Sequence, residues 1–159
     1  MFDDLAIARA LHVAAVVHWI GGVLFVTFVV LPAIERLAEP AARLALFDAI
    51  ERRFAFAARI STTLAGAAGF YMTEVMGLWS RFADPHFWWM HAMVGLWAIF
   101  TLMLFIAEPL FLHAWFDARA ARDPDGTFRL VTRLHRVLST VAVVVILGAT
   151  AGAHGYLPL

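Results

Sequence analysis

Seven histidines are spread along this 159-residue chain, and cysteine is absent. Without thiolate there can be no disulfide, sulfur-bound zinc, thioether-attached haem or iron–sulfur cluster. Any metal or cofactor must be held by imidazole, thioether, carboxylate or backbone. Ionisable groups inside apolar segments are costly and tend to be functional, so the depth of each histidine matters more than the number. His12, His91 and His154 come within about two turns of the same end of three separate apolar runs, and His86 stands at the mouth on that side. Imidazoles brought to one depth from several helices are what a b-type haem needs for axial ligation. His18 lies six positions from His12, about 120° away at helical pitch, so the two cannot serve one iron from one face. It is left to bond a carbonyl or line a second site. His113 and His135 sit at the opposite ends of their runs, where a solvated imidazole is ordinary. Two haems, one per leaflet, would need ligands closer together than His91 and His113 or His135 and His154, which helical rise separates by about 33 and 28 Å. One haem on the His12 side is expected.

Methionine supplies a competing chemistry. Met72 and Met76 are one turn apart, and Met90 and Met93 flank His91. Thioether with imidazole suits Cu(I), although methionine also fills gaps in cores and faces lipid. Two carboxylates fall inside apolar runs. Glu108 precedes Pro109, which frees a backbone carbonyl and bends a helix, and Glu74 lies near the end of its run. A proton relay or a quinone contact would use either. A partner arginine, or a bond to the broken turn, accounts for Glu108 equally well.

The elements that must position these groups are helices in a bilayer. The chain is 63% hydrophobic and 15% charged, with a mean hydropathy of +0.81, more apolar surface than a soluble domain of this size can hide. About 20 consecutive apolar residues span a bilayer core, and the pattern predicts four such helices in one domain over 1–159: residues 5–30, 58–78, 84–116 and 130–156. The first is too long for a cleaved signal and is expected to be retained. It should stop before Pro32. Asp84-Pro85 reads as an N-cap with a first-turn proline, and Asp123-Pro124-Asp125-Gly126 as a turn. Residues 40–58 mix charged and apolar side chains, as an amphipathic lead-in that lies at the interface or extends the second helix. Gly148 with Gly152, and Ala65 with Gly69, are small-residue pairs that let helices approach closely.

All twelve basic residues are arginine, balanced by twelve acids, so net charge points to no nucleic acid. Arg36, Arg43, Arg52 and Arg53 fall between the first two helices, and Arg119, Arg122, Arg129, Arg133 and Arg136 around the third connection; only Arg9 and Arg81 mark the other side. Cytoplasmic loops carry the excess of basic residues. The expected fold is therefore all-α: an integral membrane four-helix bundle with both termini extracytoplasmic, multi-pass in a bacterial-type cytoplasmic membrane. Trp79, Phe87, Trp88 and Trp89 then make an aromatic belt at the outer interface.

The run Leu11-His12-Val13-Ala14-Ala15-Val16-Val17-His18-Trp19-Ile20-Gly21-Gly22 resembles the opening helix of the copper-resistance protein D-like membrane family and of the HemJ-type protoporphyrinogen oxidases. Trp89-Met90-His91-Ala92-Met93 and Arg133-Leu134-His135-Arg136-Val137 are similar to those families too. The resemblance implies a four-helix core and, from its oxidase branch, a b-type haem with His12 as ligand. Those families carry a lysine at the place of Met93, and this chain has no lysine, which argues against protoporphyrinogen oxidation.

The expected function is that of a haem b-binding membrane protein with an electron-transfer role, linked to quinol or to a redox partner protein. If it is an enzyme, it is a haem-dependent membrane oxidoreductase. His12 is the first axial ligand, with His91 ahead of His154 as the second, Gly152 and Gly155 beside the haem edge, and Arg81 or Arg9 near its propionates. The alternatives are copper uptake or tolerance through Met72, Met76, Met90 and Met93, and a cofactor-free anchor or assembly subunit. Lipid is the first partner, and a homo-oligomer is compatible with the packing motifs.

Overall fold

A computed structural model describes residues 4–156; the acidic opening Met1-Phe2-Asp3 and Leu157 to Leu159 lie outside it. The described residues are helical and contain no strand. They form the rods α1 (Asp4–Leu37), α2 (Pro40–Val75), α3 (Pro85–Ala120) and α4 (Pro124–Ala153). Three of these, α1, α3 and α4, are long and apolar enough to cross a membrane. Their outward faces carry large apolar side chains, among them Val17, Phe25 and Phe28 on α1 and Val137, Val141, Val144 and Leu147 on α4. Soluble monomers rarely expose contiguous apolar area on this scale. A lipid bilayer is the environment that suits it.

Pro32 does not end α1 as the sequence suggested. The chain widens into a π-helical turn over Val26–Val30 and then continues as α-helix to Leu37. A proline clashes with the carbonyl four residues back, and a wider turn ahead of it relieves that clash without breaking the rod. The widened turn also exposes Thr27 to α4. The Thr27 hydroxyl donates to the Val23 carbonyl at 2.7 Å and therefore accepts the Ser139 hydroxyl, also at 2.7 Å, with both residues fully enclosed. The lead-in is an extension of α2, unbroken from Pro40 to Val75. Asp123-Pro124 is not a free turn but the start of α4: the Asp123 carboxylate accepts the Gly126 N–H at 2.8 Å, as an N-cap does. Asp84 caps the His86 N–H at 2.9 Å in the expected way.

The most extensive packing is between α1 and α2. At mid-depth Trp19, Ile20 and Val23 meet Ala55 and Ala58 of α2, Leu96, Phe100 and Leu104 of α3, and Ala142 and Val145 of α4. Small residues on α2 let large ones in. An added methyl at Gly66 would stand 2.7 Å from the Trp97 indole, which is fixed by donating to the Thr62 carbonyl at 2.9 Å and by edge contact with Phe70. Gly66→Ala is expected to destabilise the protein by about 1–3 kcal/mol, the usual cost of overpacking. Gly21→Ala, whose methyl would meet nothing within 4 Å, serves as control in thermal denaturation in detergent. Equal melting temperatures for the two would remove the packing role assigned to Gly66.

Candidate functional site

Two groups of polar side chains stand at opposite ends of the bundle. At the end where His12, His91 and His154 lie, His12 is half-buried on the same face of α1 as Trp19. Its Nδ1–H donates to the Ala65 carbonyl of α2 at 2.8 Å, and its ring lies against Gly69. The small pair Ala65 and Gly69 thus seats an imidazole. That bond leaves Nε2 as a lone pair, the state in which histidine binds metals. His154 caps α4, exposed, with Nδ1–H on the Thr150 carbonyl at 2.8 Å, so its Nε2 is left free as well. His91 is exposed and has both nitrogens on carbonyls, Phe87 at 3.2 Å and Phe82 at 2.9 Å.

The free Nε2 atoms of His12 and His154 are donors of the kind a haem iron takes, but the glycine slot does not fit its edge. Trp89 lies on Gly152 and Trp88 on Gly148, whereas Gly155 is open. His12, His91 and His154 do not converge as one three-ligand group among the described residues. Arg81 lies over the Phe87 ring, 4.8 Å from its centre. Of the sulfur candidates, Met90 is buried, Met93 packs against the core around Trp19, Met72 is half-buried and Met76 is exposed at the end of α2. Glu74 accepts the Trp79 indole N–H at 2.6 Å near the surface.

Deeper in, the His18 Nδ1–H reaches the Ser61 hydroxyl at 2.7 Å, and Ser61 gives its own proton to the Ala57 carbonyl at 3.0 Å. His135 is tied to its own helix through the Val131 carbonyl, edge-on to Phe47.

The opposite end holds the denser network. Over Met103–Leu112 α3 winds as π-helix, in which each N–H reaches five residues back. Pro109 has no N–H to give, so the Leu104 carbonyl is left without that donor. Arg59 of α2 fills the gap: its Nε donates to the Leu104 carbonyl at 3.0 Å and its Nη2 to Glu108 Oε1 at 3.0 Å. Glu108 is 8% exposed. Of the two explanations open for Glu108, the partner arginine is the one observed, and the same arginine rather than Glu108 bonds the broken turn. The His113 Nδ1–H donates to the Glu108 carbonyl at 3.1 Å, and the ring faces Asp48 and Glu51 on the charged stretch of α2. One ligating atom from each of Asp48, Glu51 and His113 lies within 4.8 Å of the others. Loss of water, then the nearby Glu108 charge, pushes the Glu51 carboxyl up to about 7.

Reading the sequence singled out Glu108 and His113 but not Asp48, Glu51 or Arg59 as members of a site. The signal for Arg59 was present: one arginine inside one apolar run and one glutamate inside another, each needing a partner. Compared with protein-family models, curated proteins and solved structures, the chain matches none of them.

Proposed function

We propose that this chain spans the cytoplasmic membrane four times, with both termini outside, and holds one b-type haem through which it passes electrons to or from a quinol or a partner protein. The fourth span is α2. Phe56, Ile60, Leu64, Tyr71 and Val75 are exposed apolar residues along one side of it, and the stretch from first to last covers about 28 Å at helical rise, close to the bilayer core. Both Arg-rich connections then lie in the cytoplasm. A reporter active only outside the cytoplasm, fused after Leu159, should be active; activity of a cytoplasm-only reporter at that position would invert the topology.

The observation that carries the haem reading is the seating of His12: an inward-facing imidazole with Nδ1–H held by a carbonyl of another helix and Nε2 free. For the second ligand, the free Nε2 of His154 gives it precedence over His91, reversing the order expected from sequence alone. Haem would supply one-electron redox chemistry. The chain's own part is to fix the imidazole tautomer through Ala65, to keep water from the ring by packing α1 on α2, and to offer arginine at the outer surface. The test is the absorption spectrum of the purified, dithionite-reduced protein, in which a low-spin b-type α-band is expected. Protein expressed with ample haem supply that shows no such band would overturn the reading.

A further inference from the structure

The group at the Arg-rich end of the bundle gathers two carboxylates of α2 and an imidazole of α3. Asp48 and Glu51 are three residues apart and so share a face of α2. His113 stands where the π segment of α3 returns to α-helix. The Glu108 carbonyl takes the Nδ1 proton, which leaves Nε2 to face Asp48 Oδ1 at 3.6 Å, too far for a hydrogen bond. The other Asp48 oxygen is occupied by Arg52 at 2.8 Å. Arg59 is committed to Glu108 and the Leu104 carbonyl. The Glu51 carboxylate has no hydrogen-bond or ion-pair partner among the described residues. Two carboxylates and the His113 Nε2 thus converge, with Arg52 donating only to the far oxygen of Asp48.

We propose that Asp48, Glu51 and His113 form a binding site for a divalent transition-metal ion, held by one oxygen from each carboxylate and by His113 Nε2. The donor set is oxygen and imidazole nitrogen without sulfur, which suits zinc, manganese or iron(II) rather than Cu(I). A metal-bound histidine ordinarily gives its other N–H to a carbonyl or carboxylate, and the Glu108 carbonyl already plays that part. Three protein ligands leave positions open for water or a further ligand. Bonds of about 2.0–2.2 Å to a common ion require the three atoms to draw closer than their present spread. Flexible carboxylate side chains at the edge of the bundle can do this without moving a helix. In the proposed topology the site opens to the cytoplasm, but its existence does not depend on the haem.

The test uses the full-length protein purified in detergent with chelator and then dialysed free of it. Titration with Zn2+ by calorimetry, and with Mn2+ by electron paramagnetic resonance, should show one ion per chain. Pulsed measurements on the manganese-loaded protein should show coupling to one imidazole nitrogen. His113→Ala and Asp48→Asn/Glu51→Gln should weaken binding by about 100-fold or more, since loss of outer-shell partners alone costs about 10–100-fold. His135→Ala and His86→Ala should bind as wild type does. Wild-type protein that takes up neither ion stoichiometrically, or manganese bound without nitrogen coupling, would overturn the assignment even if no variant could be purified. His12→Ala protein should bind the ion unchanged, so the haem reading and this one fail separately.

Discussion

Arg59→Ala is expected to destabilise the protein by about 3 kcal/mol, the low end of the cost of stripping one partner from a buried ion pair, because the Arg59 side chain is itself 32% exposed. The substitution leaves two groups in need at once. Glu108, only 8% exposed, keeps a charge with no counterion, and the Leu104 carbonyl loses the donor that stands in for the missing Pro109 N–H. Glu108→Gln retains a hydrogen-bond acceptor for Arg59 and should cost less than Arg59→Ala. Replacing both members by apolar residues, Arg59→Met with Glu108→Leu, should recover much of the loss, because an apolar pair often matches or exceeds a buried ion pair in stability. Reversible unfolding in mixed micelles provides the measurement. An Arg59→Ala protein within about 0.5 kcal/mol of wild type, the range of an ordinary surface substitution, would mean that the pair is dispensable.

On the proposed haem reading, His12→Ala should abolish the reduced α-band, while His113→Ala should leave it largely intact. An axial ligand is a bond to the iron, and neighbouring packing cannot replace it. The same substitution also removes the Nδ1–H bond to Ala65 and leaves a gap beside Gly69, so retention of fold must be checked by circular dichroism. His12→Gln fills more of that gap and should restore folding without restoring a low-spin spectrum. His154→Ala and His91→Ala then decide the second ligand: the one whose loss converts low-spin to high-spin haem is the partner, and His154 is expected. A His12→Ala protein with a full complement of low-spin haem would place the site on the wrong histidines.

Much of this architecture could be read from residue types. The apolar runs located the helices, and Asp84-Pro85 located the start of α3. The same dipeptide logic applied to Asp123-Pro124 would have started α4 six residues earlier than its apolar run suggests. What misled was the assumption of constant α pitch. A proline in such a helix should end or kink it, which is why Pro32 reads as a terminus, yet a π turn carries α1 past it. The chemistry divided along the same line. The position of His12 against α2 was legible because its depth follows from counting along one regular helix. The group of Asp48, Glu51 and His113 was not, because His113 lies beyond ten residues of π-helix, where angular bookkeeping at 100° per residue no longer tells which way a side chain points.

That ten-residue stretch of α3 is in effect a phase shifter. Upstream of it, Trp89, Met90, Leu96 and Phe100 keep one angular setting toward the bundle interior. Downstream, the slower winding has delayed the rotation, and His113 arrives facing the charged stretch of α2. A chain whose stretch 103–112 wound at regular pitch would still carry every side chain named here. Its outer half would pack as before, while its inner half would turn about the helix axis. The imidazole would then sweep away from Asp48 and Glu51, and the carboxylate of Glu108 away from Arg59. The winding of that stretch therefore sets the meeting of two otherwise unrelated faces, and regular pitch there would separate them with no change in composition at either.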